Sequence, residues 1–246
     1  MLDRLGSHCF IKSKNTKTDL LSAHPTFFIE SRMMSNVLTA IHTNPSLLKG
    51  KNSDMKKFLK TQGNPESQGT GNAPTDQEIA FATLLEKFEY KFLPKGAGVP
   101  KINGNYYFYQ PKGTQRNIDF MVVDVLDGKE TFYYLDLKHT TGKTFFFNDG
   151  WFEDDVIYVV SFTMKKIDKV YIGYGKDTRS DEEHSEMLAL IKFKQEWNKT
   201  KKNIGHLKKC IRYANQYSCD GFTTEFIDEK FKSVLKKISS SPPSSV

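Results

Sequence analysis

Cysteine is scarce in this chain, with three in 246 residues: Cys9, Cys210 and Cys219. An odd, sparse set argues against a disulfide framework and fits a reducing compartment. His206, Cys210 and Cys219 share one stretch, but no CxxC pair accompanies them. Structural zinc normally needs four closely spaced ligands, so these residues read as helix packing. Also missing is any run of the roughly 18 to 20 apolar residues that a bilayer span requires. The opening MLDRLGSHCFIKSKN holds no apolar signal-peptide core. The expectation is an intracellular, cytoplasmic protein without membrane contact.

The residues that are present describe a folded chain. Hydrophobic residues make up 38% and aromatics 13%, which suits a packed core rather than disorder. A chain of 246 residues can bury one substantial core with a small accessory piece. The formal net charge of +7 favours polyanionic partners such as nucleic acid or acidic headgroups.

Along the chain, FFIESRMMSNVLTAI (27–41) reads as a helix entered after Pro25. Residues 50–75 are polar and rich in Gly, Asn and Ser, the composition of a linker or long loop. Pro74, Thr75 and Asp76 then supply a stop and a cap, and Ile79, Ala82, Leu85, Phe88 and Phe92 recur at helical spacing. Five strands come next, at 105–110, 117–126, 130–139, 156–162 and 169–175, each rich in β-branched and aromatic residues. Helices return at 182–216 and 226–238. The expected division is a mostly helical N-terminal extension (1–50), a polar linker (51–74), one α/β domain (75–238) and a flexible tail (239–246).

The stretch YYLDLKHTTGKT (133–144) offers two readings. Gly142-Lys143-Thr144 resembles the end of a phosphate-binding P-loop, but the glycine required five residues earlier is Leu137. The helix that must come after it is replaced by Phe145-Phe146-Phe147-Asn148-Asp149-Gly150, a poor helix start. The second reading starts from Asp127-Gly128, a favoured two-residue hairpin turn. If that pair forms the loop, partners on the two strands sum to 255, and Asp119 falls opposite Asp136. Lys138 then shares their face, as do Met121 and Tyr134. Ile118, Phe120 and Val122 face Tyr133, Leu135 and Leu137 on the other, core side. Two opposed carboxylates repel, so a divalent cation or Lys138 itself must offset them.

Asp119, the short hairpin and Asp136-Leu137-Lys138 together resemble the PD-(D/E)xK nuclease superfamily, whose largest group is the type II restriction endonucleases. Ile118 stands where the family often has proline. The resemblance implies a restriction-endonuclease-like α/β core, a central mixed sheet flanked by helices. It also implies Mg²⁺ held by Asp119, Asp136 and the Leu137 backbone carbonyl, with Lys138 as the catalytic lysine. Cleavage of a DNA phosphodiester would leave 5′-phosphate and 3′-hydroxyl ends. Family members often add an acidic residue from the preceding helix; Glu78, Glu86 and Glu89 are candidates, and the phase of the apolar stripe favours Glu86. Candidate DNA contacts are Lys112 and Arg116 ahead of the hairpin, and His139, Thr140, Thr141, Lys143, Asn148 and Asp149 in a loop after it. The partners implied are double-stranded DNA, a second copy of the chain and a companion DNA methyltransferase acting on the same site. Alternative readings are a repair, recombination or phage-type nuclease of the same superfamily, or a basic DNA-binding protein without catalysis.

Overall fold

Strands rich in Val, Ile, Tyr and Phe bury both faces only when helices or a second sheet cover them. The computed structural model shows how this chain does so, describing residues 33–62, 73–112, 118–147, 150–164, 167–200 and 215–240. The central sheet contains β1 (Lys91–Phe92), β2 (Gly104–Tyr109), β3 (Phe120–Leu126), β4 (Lys129–Thr140), β6 (Val156–Met164) and β7 (Ile167–Tyr174), in the order β1-β2-β3-β4-β6-β7. The sheet is mixed: β1 with β2 and β4 with β6 are parallel, and the other neighbours are antiparallel.

One face is covered by helices. From α1 (Met33–Thr43) come Val37, Leu38 and Ile41, and from α3 (Asp76–Lys87) come Phe81 and Leu85. They pack on Phe120, Val122, Leu135 and Leu137 in one buried cluster, with the Phe81 and Phe120 rings 4.9 Å apart. Phe231, Val234 and Ile238 of α6 (Thr224–Ser240) close the same cluster. Directly after α1, a short 3₁₀ turn at Pro45–Lys49 buries Leu48 in it as well.

The segment expected as a linker begins with a second helix, α2 (Ser53–Gln62), whose Met55 and Leu59 enter the main core. Asn52 Oδ1 accepts the backbone N–H groups of Asp54 and Met55, the hydrogen bonding of an N-cap. Phe58 packs beside them, its ring 4.8 Å from that of Phe92, so three apolar residues dock a helix whose other positions are polar.

The opposite face is covered by aromatics. β5 (Thr144–Phe147) pairs with β8 (Asn215–Ser218) in a two-stranded sheet. This ribbon lays Phe145 and Phe147 beside Trp151, Phe152 and Tyr158. The loop expected after β4 is thus partly a strand. A single helical turn, α4 (Gly175–Thr178), leaves β7. The long helix expected over 182–216 is α5 (Asp181–Thr200), with Asn215 and Gln216 already in β8. Arg116, Asn148, Asp149, His206 and Cys210 lie outside the described residues. No helix among the described residues is long and apolar enough to cross a membrane.

Candidate active site

The site is set by the turn between β3 and β4. Asp127 and Gly128 have φ of 51° and 71°, the positive pair that a two-residue hairpin loop demands. From Leu126↔Lys129 the register runs without a slip to Phe120↔Leu135, every pair summing to 255 as expected. Beyond Phe120 the ladder changes. The Asp119 N–H donates to the Leu135 carbonyl at 2.9 Å, and Asp119 Oδ2 accepts the Leu137 N–H at 2.8 Å. Asp119 thus reaches the end of β4 through its carboxylate as well as its backbone. The break also turns Ile118 into the aromatic cluster with Phe145 and Phe147, not onto the helical face with Phe120.

Asp136 stands on β4 beside Tyr158 of β6 and is 1% exposed. Lys138, two residues on and so on the same face, places its ammonium 2.7 Å from Asp136 Oδ1 and 2.6 Å from Oδ2. Only the Oδ1 contact has the direction of a hydrogen bond; buried Oδ2 receives none. The ammonium also lies 5.2 Å from the Phe147 ring centroid. The strand that sequence alone read as a DNA-facing loop therefore contributes a wall of the site.

The helix before the hairpin supplies a third carboxylate, and it comes from Glu78. Thr75 caps α3: its side chain accepts the Glu78 N–H at 3.2 Å, while Glu78 Oε2 accepts the Thr75 N–H at 2.5 Å. This capping box fixes Glu78 at the end of the helix nearest Asp119, close enough for the Asp119 charge to act on its carboxyl and for Glu78 in turn to act on the Tyr109 hydroxyl. Gln77 anchors that end of α3 by donating to the Val159 carbonyl at 3.4 Å. Glu86 lies about 12 Å further along the helix axis, is exposed, and accepts from the Tyr107 hydroxyl at 3.3 Å. Glu89 is exposed as well. The apolar stripe gave the phase of the helix but not which turn reaches the end of the sheet; the Thr75-x-x-Glu78 capping signature was the available clue.

Burial and the Asp119 charge push the Glu78 carboxyl up to about 7. Burial, with Asp119 adding to it, raises Asp136 well above the usual carboxylate range despite the pull of Lys138. For Lys138, burial alone would favour the neutral amine, but Asp136, Asp119 and Glu78 outweigh it and hold the ammonium above its ordinary range. Three carboxyl groups therefore crowd one cation.

The remaining candidates separate by role. The Lys112 ammonium sits 5.5 Å from the Tyr134 ring centroid, on the face that carries Asp136. Thr140 Oγ1 donates to the Thr144 carbonyl at 2.5 Å and accepts the Gly142 N–H at 3.0 Å, so it ties the β4–β5 turn. Thr141 and Lys143 are in that turn, and Lys143 pairs with Asp220 at 3.4 Å. Gly142-Lys143-Thr144 thus leads into a strand, not a helix. His139 points to the other face, with Nδ1 3.0 Å from Ser161 Oγ.

Among the described residues, no group of three or more His, Cys, Asp or Glu side chains has the spacing of a finished metal site. The donors at hand are hard oxygens, the class magnesium takes, and buried Asp136 Oδ2 lacks a directed hydrogen bond. Comparison with known proteins finds no family model, no curated protein and no solved structure that matches this chain.

Proposed function

We propose that this protein is a Mg²⁺-dependent DNA endonuclease of the type II restriction class on a restriction-endonuclease-like core. The observation that carries the reading is the meeting of Glu78, Asp119, Asp136 and Lys138 at the open end of one registered hairpin. An excess of buried carboxyl groups over cations is costly unless a further positive charge joins it.

Asp119 and Asp136 would hold the metal, with Glu78 beside them. The Leu137 carbonyl is the fourth donor: the N–H of that residue points at Asp119, and N–H and C=O of one extended residue point the same way. When bound there, magnesium polarises the scissile phosphate, lowers the pKa of a bound water and steadies the leaving oxygen. Lys138 is held as an ammonium, so it serves as a counter-charge for the phosphoryl oxygens and not as the base. Hydrolysis leaves a 5′-phosphate and a 3′-hydroxyl. Two copies related by a two-fold axis would match the two strands of a short palindrome, and a companion methyltransferase would protect the same sequence in the host DNA.

A digest of several unmodified DNAs with Mg²⁺, paired with EDTA, tests the reading. Discrete fragments that EDTA suppresses are expected, with Asp136→Asn and Lys138→Met each slowing cleavage by about 10² to 10⁴. Structure-dependent nicks or exonuclease products would move the protein to the repair, recombination or phage-type nucleases. Retained DNA binding with no cutting under any condition would leave a non-catalytic DNA-binding protein.

A further inference from the structure

The helices α1, α2, α3 and α6 each send side chains into the buried core. α5 does not. It has 20 residues and runs for about 30 Å, yet none of residues 181–197 is buried. His184, Met187, Ile191 and Lys194, three or four residues apart, form one half-buried stripe, in which Met187 and Ile191 rest on the aromatic cluster. Helices in folded proteins take most of their stability from a packed apolar face, and α5 has little of one within its own described fold.

A second apolar stripe runs beside the first and faces solvent. Leu190, Phe193 and Trp197 stand at i, i+3 and i+7, which puts them on one side of the helix. They are 48%, 58% and 43% exposed, and the Phe193 and Trp197 rings adjoin with centroids 6.2 Å apart. Roughly half of three large side chains amounts to about 300 Å² of apolar surface, the size at which an exposed patch is often functional. Leu188, 49% exposed, sits on the other flank of the half-buried stripe and outside this patch.

The charge of α5 says what fits there. Its first six residues carry Asp181, Glu182, Glu183 and Glu186, and no lysine or arginine occurs before Lys192. The second half carries Lys192, Lys194 and Lys199 against Glu196. Asp181 lies 3.8 Å from Arg179, and Glu183 accepts the Ser180 N–H at 2.8 Å, so Glu182 and Glu186 are the acids that the helix turns to solvent. This order suits the dipole of the helix itself, and between two copies it also sets a direction. Parallel copies would bring like charges together, whereas antiparallel copies bring the acidic half of each beside the basic half of the other. A two-fold axis across the helix generates that arrangement and closes it at two copies. With the axis close to Phe193, the two Phe193 rings meet, and Leu190 of each copy falls opposite Trp197 of the other.

We infer that the Leu190, Phe193 and Trp197 stripe of α5 is an interaction surface for a second copy of this chain, packed antiparallel across a two-fold axis. The inference rests on α5 alone; it gives a face to the pair invoked for the proposed cleavage without depending on that cleavage. Two stripes remove about 600 Å² of apolar surface, less than the roughly 1,600 Å² of a standard interface, so the pair is reversible with a dissociation constant on the order of 10 µM.

Sedimentation velocity of the full-length protein, without DNA and in EDTA, tests this from about 1 to about 200 µM. The parent should pass from one copy to two across that range. Phe193→Glu enters the contact twice and should raise the dissociation constant by about a hundredfold or more, while Leu188→Glu should leave it unchanged. Leu190→Glu and Trp197→Lys should each pair poorly alone and recover when mixed, because the antiparallel arrangement sets the new carboxylate against the new ammonium. All these positions are exposed, so each variant should keep the cooperative melt of the parent. A single copy at every concentration would overturn the inference. So would undiminished pairing in Phe193→Glu, equal loss in Leu188→Glu, or no recovery on mixing two variants that both melt cooperatively. A protein that pairs through α5 and cuts no DNA leaves the surface standing and removes the proposed function; one that cuts DNA as a single copy does the reverse.

Discussion

Glu78 shows what one buried carboxyl does to the molecule. Its folded pKa stands near 7 against an ordinary 4.5, so between those values the folded state holds a proton that the unfolded chain has released. Stability in that window therefore falls as pH rises, by up to roughly 3 kcal/mol, and levels off above pH 7. Asp136 is raised as well and adds a loss of the same sign. Lys138 is held above its ordinary range, so its contribution persists until strongly alkaline pH and does not shape this window. In EDTA, urea unfolding should give a lower free energy at pH 8 than at pH 5. Glu78→Gln keeps the capping acceptor without the charge and should flatten most of the difference; an unchanged slope in that variant would refute this electrostatic account. Lys138→Met removes the cation that Asp136 grips with both oxygens. It should cost about 3 to 5 kcal/mol at pH 8 and less at lower pH, because burial already holds the Asp136 carboxyl well above its ordinary range and removing the ammonium raises it further. Adding Asp136→Leu to Lys138→Met should recover part of the loss, since the most deeply buried carboxyl then leaves with its cation and only Asp119 and Glu78 remain.

The hairpin is the element that turns sequence into a site. Its register depends on positive φ at Asp127 and Gly128, a conformation that a β-branched residue resists by about 1 to 2 kcal/mol. Gly128→Val should lower stability by that amount, while the proposed cleavage survives once the protein is folded. One residue inserted between Asp127 and Gly128 should instead abolish cleavage in a protein that still melts cooperatively, because a one-residue slip moves Asp136 and Lys138 to the other face relative to β3. Cleavage at the parent rate by the insertion variant would show that the register does not build the site. This register was legible beforehand because an Asp-Gly turn fixes every pair beyond it. Other features were not. Ile118 leaves the alternation because the ladder ends at Phe120, and pattern alone cannot see where pairing stops. β5 depends on β8, about 70 residues away, and a short Phe run reads as loop without its partner. In α2 only Met55 and Leu59 are buried, too sparse a stripe to stand out from a Gly- and Asn-rich background.

At the scale of the whole molecule, the net charge of +7 and the proposed DNA substrate make a joint prediction about salt. Each phosphate neutralised releases condensed counterions, so the affinity for duplex DNA should fall steeply and linearly on a log–log scale. With about four contacts, moving from 50 to 200 mM salt should weaken binding by about a hundredfold. Not every lysine contributes equally. Lys138 is already compensated by Asp136, Asp119 and Glu78, so Lys138→Met should leave the slope nearly unchanged even as it stops the proposed cleavage. Lys143 shares its charge with Asp220, but both are largely exposed, so the pair is weak enough to yield to a phosphate. Lys112 lies over Tyr134, on the face that carries the two aspartates and the lysine of the motif. Lys112→Ala and Lys143→Ala should each reduce the slope by about one. Fluorescence anisotropy with a labelled duplex in EDTA measures both slope and affinity without cleavage. A slope near zero for the parent protein would exclude the polyanion as its partner, and a slope that falls most in Lys138→Met would mean that the buried lysine, not the surface, meets the phosphates.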